Sequence, residues 1–146
     1  MSKHLHPVAG GLALVLIAGF WLATVLSELS GRVPFIVAVK TAIPWGLLLL
    51  VPALAAVGGS GLALSKGRRG GLIGAKLARM PWIAANGILV LIPSALFLAW
   101  KAGHGRLDAA FYAVQVLELA AGALNVTLLA RNMRDGLRMT GRLRRG

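Results

Sequence analysis

Four apolar runs, each near the ~20 residues that a helix needs to cross a hydrocarbon core, constrain this chain more than any other feature. They lie at about residues 7–29, 34–57, 81–100 and 109–130. An isolated apolar segment in lipid must satisfy its own backbone N–H and C=O groups, which leaves it the helix. The expected fold is all-α: one integral membrane domain, residues 1–146, built as an antiparallel four-transmembrane-helix bundle. Hydrophobic residues make up 58% of the chain and charged residues 14%. Ordinary soluble domains hold about 45–50% and about 25%, so this chain lacks the polar surface that would dissolve a globule.

The charges that exist are lopsided, with 16 Lys+Arg against 4 Asp+Glu, a net charge of +12. On a soluble fold that balance would point to nucleic acid. Here the cations sit in loops beside apolar runs with few aromatics among them, so no nucleic-acid partner is expected. One side of the bundle carries Lys3, then Lys66, Arg68, Arg69, Lys76 and Arg79, then Arg131, Arg134, Arg138, Arg142, Arg144 and Arg145. The other carries Arg32, Lys101 and Arg106, diluted by Glu28 and Asp108. The positive-inside bias makes the first side cytoplasmic. Both termini, the loop 58–80 and the basic tail 131–146 are then expected in the cytoplasm, in a membrane of the bacterial inner-membrane type. Arg68 and Arg69 would rest on anionic lipid headgroups. The first run reads as a retained helix, because no small-x-small cleavage site precedes Ser27–Arg32.

Local signals set the expected boundaries. Pro34 and Pro81 suit helix starts, and Asp108 suits an N-cap. Trp82 and Trp100 bracket the third run as interfacial anchors, and Gly103-His104-Gly105 makes the turn after it. Gly58-Gly59-Ser60-Gly61 is expected to end the second helix, while Pro44, Pro52 and Pro93 break helices within the membrane. Gly10, Gly11 and Gly19 are expected to permit close packing.

Polar residues inside the runs are the candidates for function. Phe111, Gln115, Glu118, Gly122, Asn125 and Leu129 recur at three- and four-residue steps and share one face of the fourth helix. Antiparallel pairing about the His104–Gly105 turn places Asn86 at the depth of Asn125 and Ser94 at the depth of Gln115, and predicts a hydrogen bond in each pair. Glu118 lies about 15 Å into the span at about 1.5 Å per residue. A carboxylate there must be paired, protonated or hydrated, and Lys40 on the second helix is its natural partner. That pair either fixes helix register or couples protons or substrate.

Little else suggests chemistry. With no cysteine, thiolate metal sites and disulfides are excluded. No metal-binding His/Glu motif, nucleophile elbow or paired acidic motif is present, so no catalytic residue and no metal site is named. Ser65-Lys66-Gly67 has the wrong order for a phosphate loop. His4 and His6 lie a membrane thickness from His104, a geometry unfavourable to bis-histidine haem b ligation within one chain. His6 with Met80 or Met133 remains a possible ligand set, and quinone needs only an apolar slot with a few hydrogen-bonding groups. Asp135, among arginines, reads as a solvated ion pair.

The expected function is that of a non-enzymatic accessory or anchoring subunit. Its polar intramembrane face would bind a small lipophilic ligand, quinone or haem, between the second and fourth helices beside Lys40 and Glu118. Its partners would be membrane lipids and either further copies of itself or a partner membrane subunit. The alternative is a small oligomeric proton-coupled transporter or channel using Lys40 and Glu118.

Overall fold

Helices in lipid persist until the backbone is offered another partner or an unusual dihedral, and the ends of these helices show both devices. The computed structural model describes residues 4–68, 70–139 and 141. It contains α1 (Leu5–Ser30), α2 (Val33–Ser65), α3 (Gly71–Gly103) and α4 (Ala109–Met139), with no strand among the described residues. All four are long and apolar enough to span a membrane. Gly31 ends α1 in the left-handed region at φ 64°, its N–H bonded to the Glu28 carbonyl; a β-carbon would resist that conformation. Gly105, at φ +67°, turns the chain between α3 and α4. Asp108 then caps α4, its Oδ1 accepting the Phe111 N–H at 3.0 Å.

The helices stand at the corners of a square. α1 and α3 each pack on both α2 and α4, so α1 faces α3, and α2 faces α4, across the diagonal. A core of Ala13, Ile17, Leu50, Ala53, Ile83 and Leu129 draws on all four. A second cluster, Ile36, Leu98, Ala102 and Phe111, fills the end nearest Asp108. Small residues permit the approach that helix association in lipid requires. A β-carbon at Gly46 would overlap the Phe20 ring, and one at Gly122 would lie 3.0 Å from Trp21 Cδ1. Gly10 and Gly11 sit near Val57 and Met133, whereas Gly19 meets nothing within 4 Å. Large apolar side chains such as Trp45, Leu48, Trp82 and Leu89 point outward.

Several expected boundaries give way. α2 does not end at Gly58 but continues through the glycines to Ser65. Each helical glycine costs about 1 kcal/mol relative to alanine. Packing offsets this, since Gly58 lies under Met80 and Gly61 under the His6 ring. Pro44 and Pro52 leave α2 unbroken, and Pro81 falls inside α3, which begins ten residues earlier at Gly71. Prolines are tolerated in membrane helices because neighbouring groups re-satisfy the freed carbonyls. Pro93 does leave a mark, a π turn at Gly87–Leu91 just before it. A proline ring collides with the carbonyl four residues earlier, here Leu89, and a widened turn is one way to accommodate it. Beyond this turn the half of α3 nearer Asp108 leans mainly on α2 rather than on α4.

At 33 residues, α2 measures about 50 Å, well beyond the ~30 Å of a hydrocarbon core. Lys76 and Arg79 on α3 and Arg131, Arg134 and Arg138 on α4 lie at the same end of the bundle as Leu5 of α1 and Ser65 of α2, where the four helix ends form a collar. This is called the basic end below.

Candidate functional site

The bundle interior holds a polar region toward Asp108 and another at the basic end; between them the core of Ile17, Leu50, Ile83 and Leu129 is crossed by one buried amide pair, Asn86 and Asn125.

In the first, Lys40 is 1% exposed and its Nζ lies 2.8 Å from Glu118 Oε1. Because α2 and α4 occupy opposite corners, this ion pair crosses the centre of the bundle. Lys40 also donates to Thr24 Oγ1 at 3.1 Å. One turn along α1 from Thr24, Glu28 accepts a hydrogen bond from Gln115 Nε2 at 3.2 Å. The Trp21 indole N–H donates to the Leu119 carbonyl at 2.8 Å and holds α1 against α4 beside Glu118. Two buried oxygens here, Gln115 Oε1 and Glu118 Oε2, accept no hydrogen bond. A void of about 50 Å³ adjoins Glu118, walled by Ile17, Phe20, Trp21 and Leu91 among others.

A neighbouring layer joins α3 to α4. Asn86 Nδ2 donates to Asn125 Oδ1 and to the Ala121 carbonyl, both at 2.8 Å, and Asn125 Nδ2 donates to the Ile83 carbonyl at 3.3 Å. Ser94 is buried, but Gln115 is not bonded to it and turns to Glu28 instead. The π turn supplies the reason. Asn86 precedes it and keeps the expected register, whereas Ser94 follows it on a segment packed mainly against α2.

Near the Asp108 end, Lys101 Nζ lies 2.8 and 2.6 Å from the two Asp108 oxygens. The hydrogen bond from Lys101, then that from the Phe111 N–H, hold the Asp108 carboxyl below its ordinary range. A lowered carboxyl stabilises the fold above its unfolded value, about 3.9 for aspartate, and the contribution fades as pH falls through the lowered value. The melting temperature in detergent is expected to drop on acidification through this window. Asp108→Asn keeps the cap but loses the charge, and is expected to flatten the drop. An unchanged pH profile in the variant would remove Asp108 from the account.

The basic end contains the larger space, a cavity of about 480 Å³ between the ends of all four helices. Val57, Leu77, Met80, Leu129 and Met133 give it apolar walls, while His6, Lys76 and Asn132 are among its polar groups. Lys76 Nζ lies 3.4 Å from His6 Nε2, and His6 Nδ1 lies 2.8 Å from Ser60 Oγ, whose hydroxyl donates to the Ala56 carbonyl. Lysine only donates, so the network assigns the proton to Nδ1 of the ring. Gly61 and Gly136 keep the space open, since a β-carbon on either would lie 3.2 Å from the His6 ring or from Lys76 Nζ respectively. Behind the cavity Arg79 pairs with Asp135 at 2.6 Å and with Asn132 at 3.2 Å. Asp135 is 2% exposed, so it is not the solvated ion pair that its sequence context suggests.

The structure thus brings Lys40 to Glu118 and Asn86 to Asn125, and sets His6, Met80 and Met133 around one cavity. It separates Ser94 from Gln115. Arg68 is exposed beside the basic end, and Arg69 lies outside the described residues. The space beside Lys40 and Glu118 is small, about 50 Å³, and that at the basic end is larger, about 480 Å³. The sequence reading passed over Trp21, Thr24, Ser60, Lys76 and Asn132. Of these, Lys76 carried a usable signal, a cation flanked by Ala75 and Leu77. Among the described residues, no group of three or more His, Asp or Glu could hold a metal ion. No family model matches the chain, and neither a curated protein nor a solved structure shows significant similarity to it.

Proposed function

We propose that this chain is a non-enzymatic integral membrane protein that binds a quinone-like lipophile in the cavity at its basic end. It would act as an accessory or anchoring subunit beside a membrane partner or further copies of itself. The basic residues make that end cytoplasmic by the positive-inside bias, in a membrane of the bacterial inner-membrane type. The observation that carries the reading is the cavity itself. Its volume of about 480 Å³ falls in the ~300–1,000 Å³ range of small-molecule sites, which are apolar with a few placed polar groups. The walls suit an apolar ring or tail, and Lys76 offers donors to a carbonyl-bearing head.

Haem fits the same space less well. Both ring nitrogens of His6 are engaged, one by Ser60 and one by Lys76, so ligation through His6 would break that chain. The transport alternative rests on Lys40 and Glu118. Between that pair and the basic end the interior is apolar except for the amides of Asn86 and Asn125, and four helices rarely enclose a pathway alone, so transport would require an oligomer.

Calorimetric titration of the detergent-solubilised protein with a short-tailed benzoquinone tests the proposal. Saturable binding at one per chain is expected. Gly10→Leu places a side chain into the cavity from a position where a β-carbon meets only Val57, at 4.0 Å, and leaves the His6–Lys76 chain intact. It is expected to weaken binding about ten-fold or more, roughly 1.4 kcal/mol, and Lys76→Met similarly. Absence of binding, or binding indifferent to both substitutions, would overturn the proposal.

A further inference from the structure

Lys76 reaches the wall of the cavity at the basic end with a charge that its surroundings leave unmatched. Its Nζ bonds to a neutral acceptor, His6 Nε2, at 3.4 Å. Asp135, the carboxylate of the collar among the described residues, pairs instead with Arg79 at 2.6 Å and with Arg134 at 3.6 Å. It reaches Lys76 as a longer-range attraction, not as a salt bridge. Gly136 adds no side chain over the ammonium, where a β-carbon would lie 3.2 Å from Nζ. An ammonium carries three hydrogens, so two remain beyond the one given to His6.

The other polar side chains of the wall lean the same way. Ser65 gives its hydroxyl hydrogen to the Leu62 carbonyl at 2.7 Å, and both ring nitrogens of His6 are engaged. Asn132 meets Arg79 through Oδ1 at 3.2 Å, as it must, since arginine only donates. That leaves Asn132 its amide hydrogens. Lys76 and Asn132 are thus the wall side chains with hydrogens to spare, and no described acidic residue lines the space. The wider balance is also positive. Lys76 and Arg79 on α3 and Arg131, Arg134 and Arg138 on α4 stand against Asp135. A cation short of a counter-charge beside apolar walls is costly, and it attracts an anion more strongly there than in water.

We propose that this cavity selects a lipophilic anion: a quinone-like body whose head carries one ionised oxygen, as in a hydroxyquinone, received by Lys76 and Asn132. The inference rests on the cavity reading above and adds to it the charge of the ligand. Val57, Leu77, Met80 and Leu129 take the body, and the ionised oxygen accepts the spare hydrogens. It also brings the counter-charge that Asp135, held by two arginines, does not supply. An uncharged quinone meets the same donors but leaves the surplus charge in place, so it binds more weakly. The ligand enters already ionised, and no electron or proton changes hands.

Calorimetric titration of the whole protein in an uncharged detergent at neutral pH tests this with three probes. A short-tailed hydroxynaphthoquinone is ionised under these conditions. Its O-methyl ether keeps the body without the charge, and decanoate keeps the charge without the ring. The hydroxyquinone is expected to bind about ten-fold or more tighter than the ether, roughly 1.4 kcal/mol. That advantage is expected to disappear in Lys76→Met, and also in Lys76→Gln, which keeps a donor and serves if the methionine variant does not fold. Gly10→Leu is expected to weaken both quinones alike and preserve the ratio. Equal affinity for hydroxyquinone and ether overturns this inference and leaves the quinone reading standing, as does an advantage that survives the loss of Lys76. Tight binding of decanoate with neither quinone bound supports selection of an anion and overturns the quinone body. Binding of none of the three overturns both.

Discussion

Lys40→Met is expected to lower stability in detergent by about 3–5 kcal/mol, the usual cost of stripping one partner from a buried ion pair. Methionine keeps most of the stem, so the loss reports on charge rather than on packing. The ammonium is 1% exposed, lies 2.8 Å from Glu118 Oε1 and donates to Thr24. Without it Glu118 loses its counter-ion, Thr24 loses a donor, and Glu28 remains nearby. The attraction in the intact pair is largely cancelled by the desolvation of both groups, so the pair itself adds little net stability. Removing both charges should therefore restore much of what removing one costs. Lys40→Met combined with Glu118→Leu is expected to recover most of the loss, and the double-mutant cycle gives the coupling directly. Denaturation followed by circular dichroism measures it. A single-variant loss under about 1 kcal/mol, a size typical of exposed pairs, would show that water reaches Lys40.

The pair was legible because its cause is local and severe. Few side chains can offset a carboxylate in lipid, and only Lys40 lay at a suitable depth on another helix. The Asn86–Asn125 contact was legible for a similar reason: counting residues outward from one turn fixes depth along an antiparallel pair. The same count failed for Ser94. It assumes a uniform helical rise and rotation, and the π turn at Gly87–Leu91 breaks that assumption between the two positions. Pro93 hinted at a disturbance but not at its form, which depends on what α2 and α4 offer as neighbours.

The cavity was hidden by a different error. Local propensity, a preference of about 1 kcal/mol per glycine, makes Gly58-Gly59-Ser60-Gly61 look like a helix end. In the folded chain those residues are the thin wall of α2 that lets the His6 ring and Met80 approach. Because α2 continues to Ser65 and α3 starts at Gly71, a collar exists where a loop was expected. Three glycines in four residues cannot say whether they mark an ending or a close contact; the partner helix decides. His6, Met80 and Met133 were singled out for lying at one end of the molecule. Their convergence on one space follows from the collar, which hydropathy alone could not reveal.

Asp135→Ala is the corresponding experiment at that end, expected to cost about 2–3 kcal/mol. This falls below the full price of a buried pair because Arg79 keeps 22% of its side chain exposed and solvent screens it in part. Among the described residues, Asp135 is the only carboxylate in the collar. Arg79 lies 2.6 Å from it, Arg134 3.6 Å, and Lys76 interacts with it electrostatically. Its removal leaves three cations without a counter-charge around the Lys76–His6 chain. The direct result is repulsion between α3, which carries Lys76 and Arg79, and α4, which carries Arg134. Asp135→Asn retains an acceptor for Arg79 and is expected to lose less than the alanine variant. Acidic lipid, which supplies anions to a basic surface, should lessen the loss in both variants, and thermal melting in vesicles with and without it measures this. If Asp135→Ala melts within about 0.5 kcal/mol of the wild type, as surface substitutions do, then Asp135 is the solvated residue that its sequence context implies, and the collar holds together by apolar contact alone.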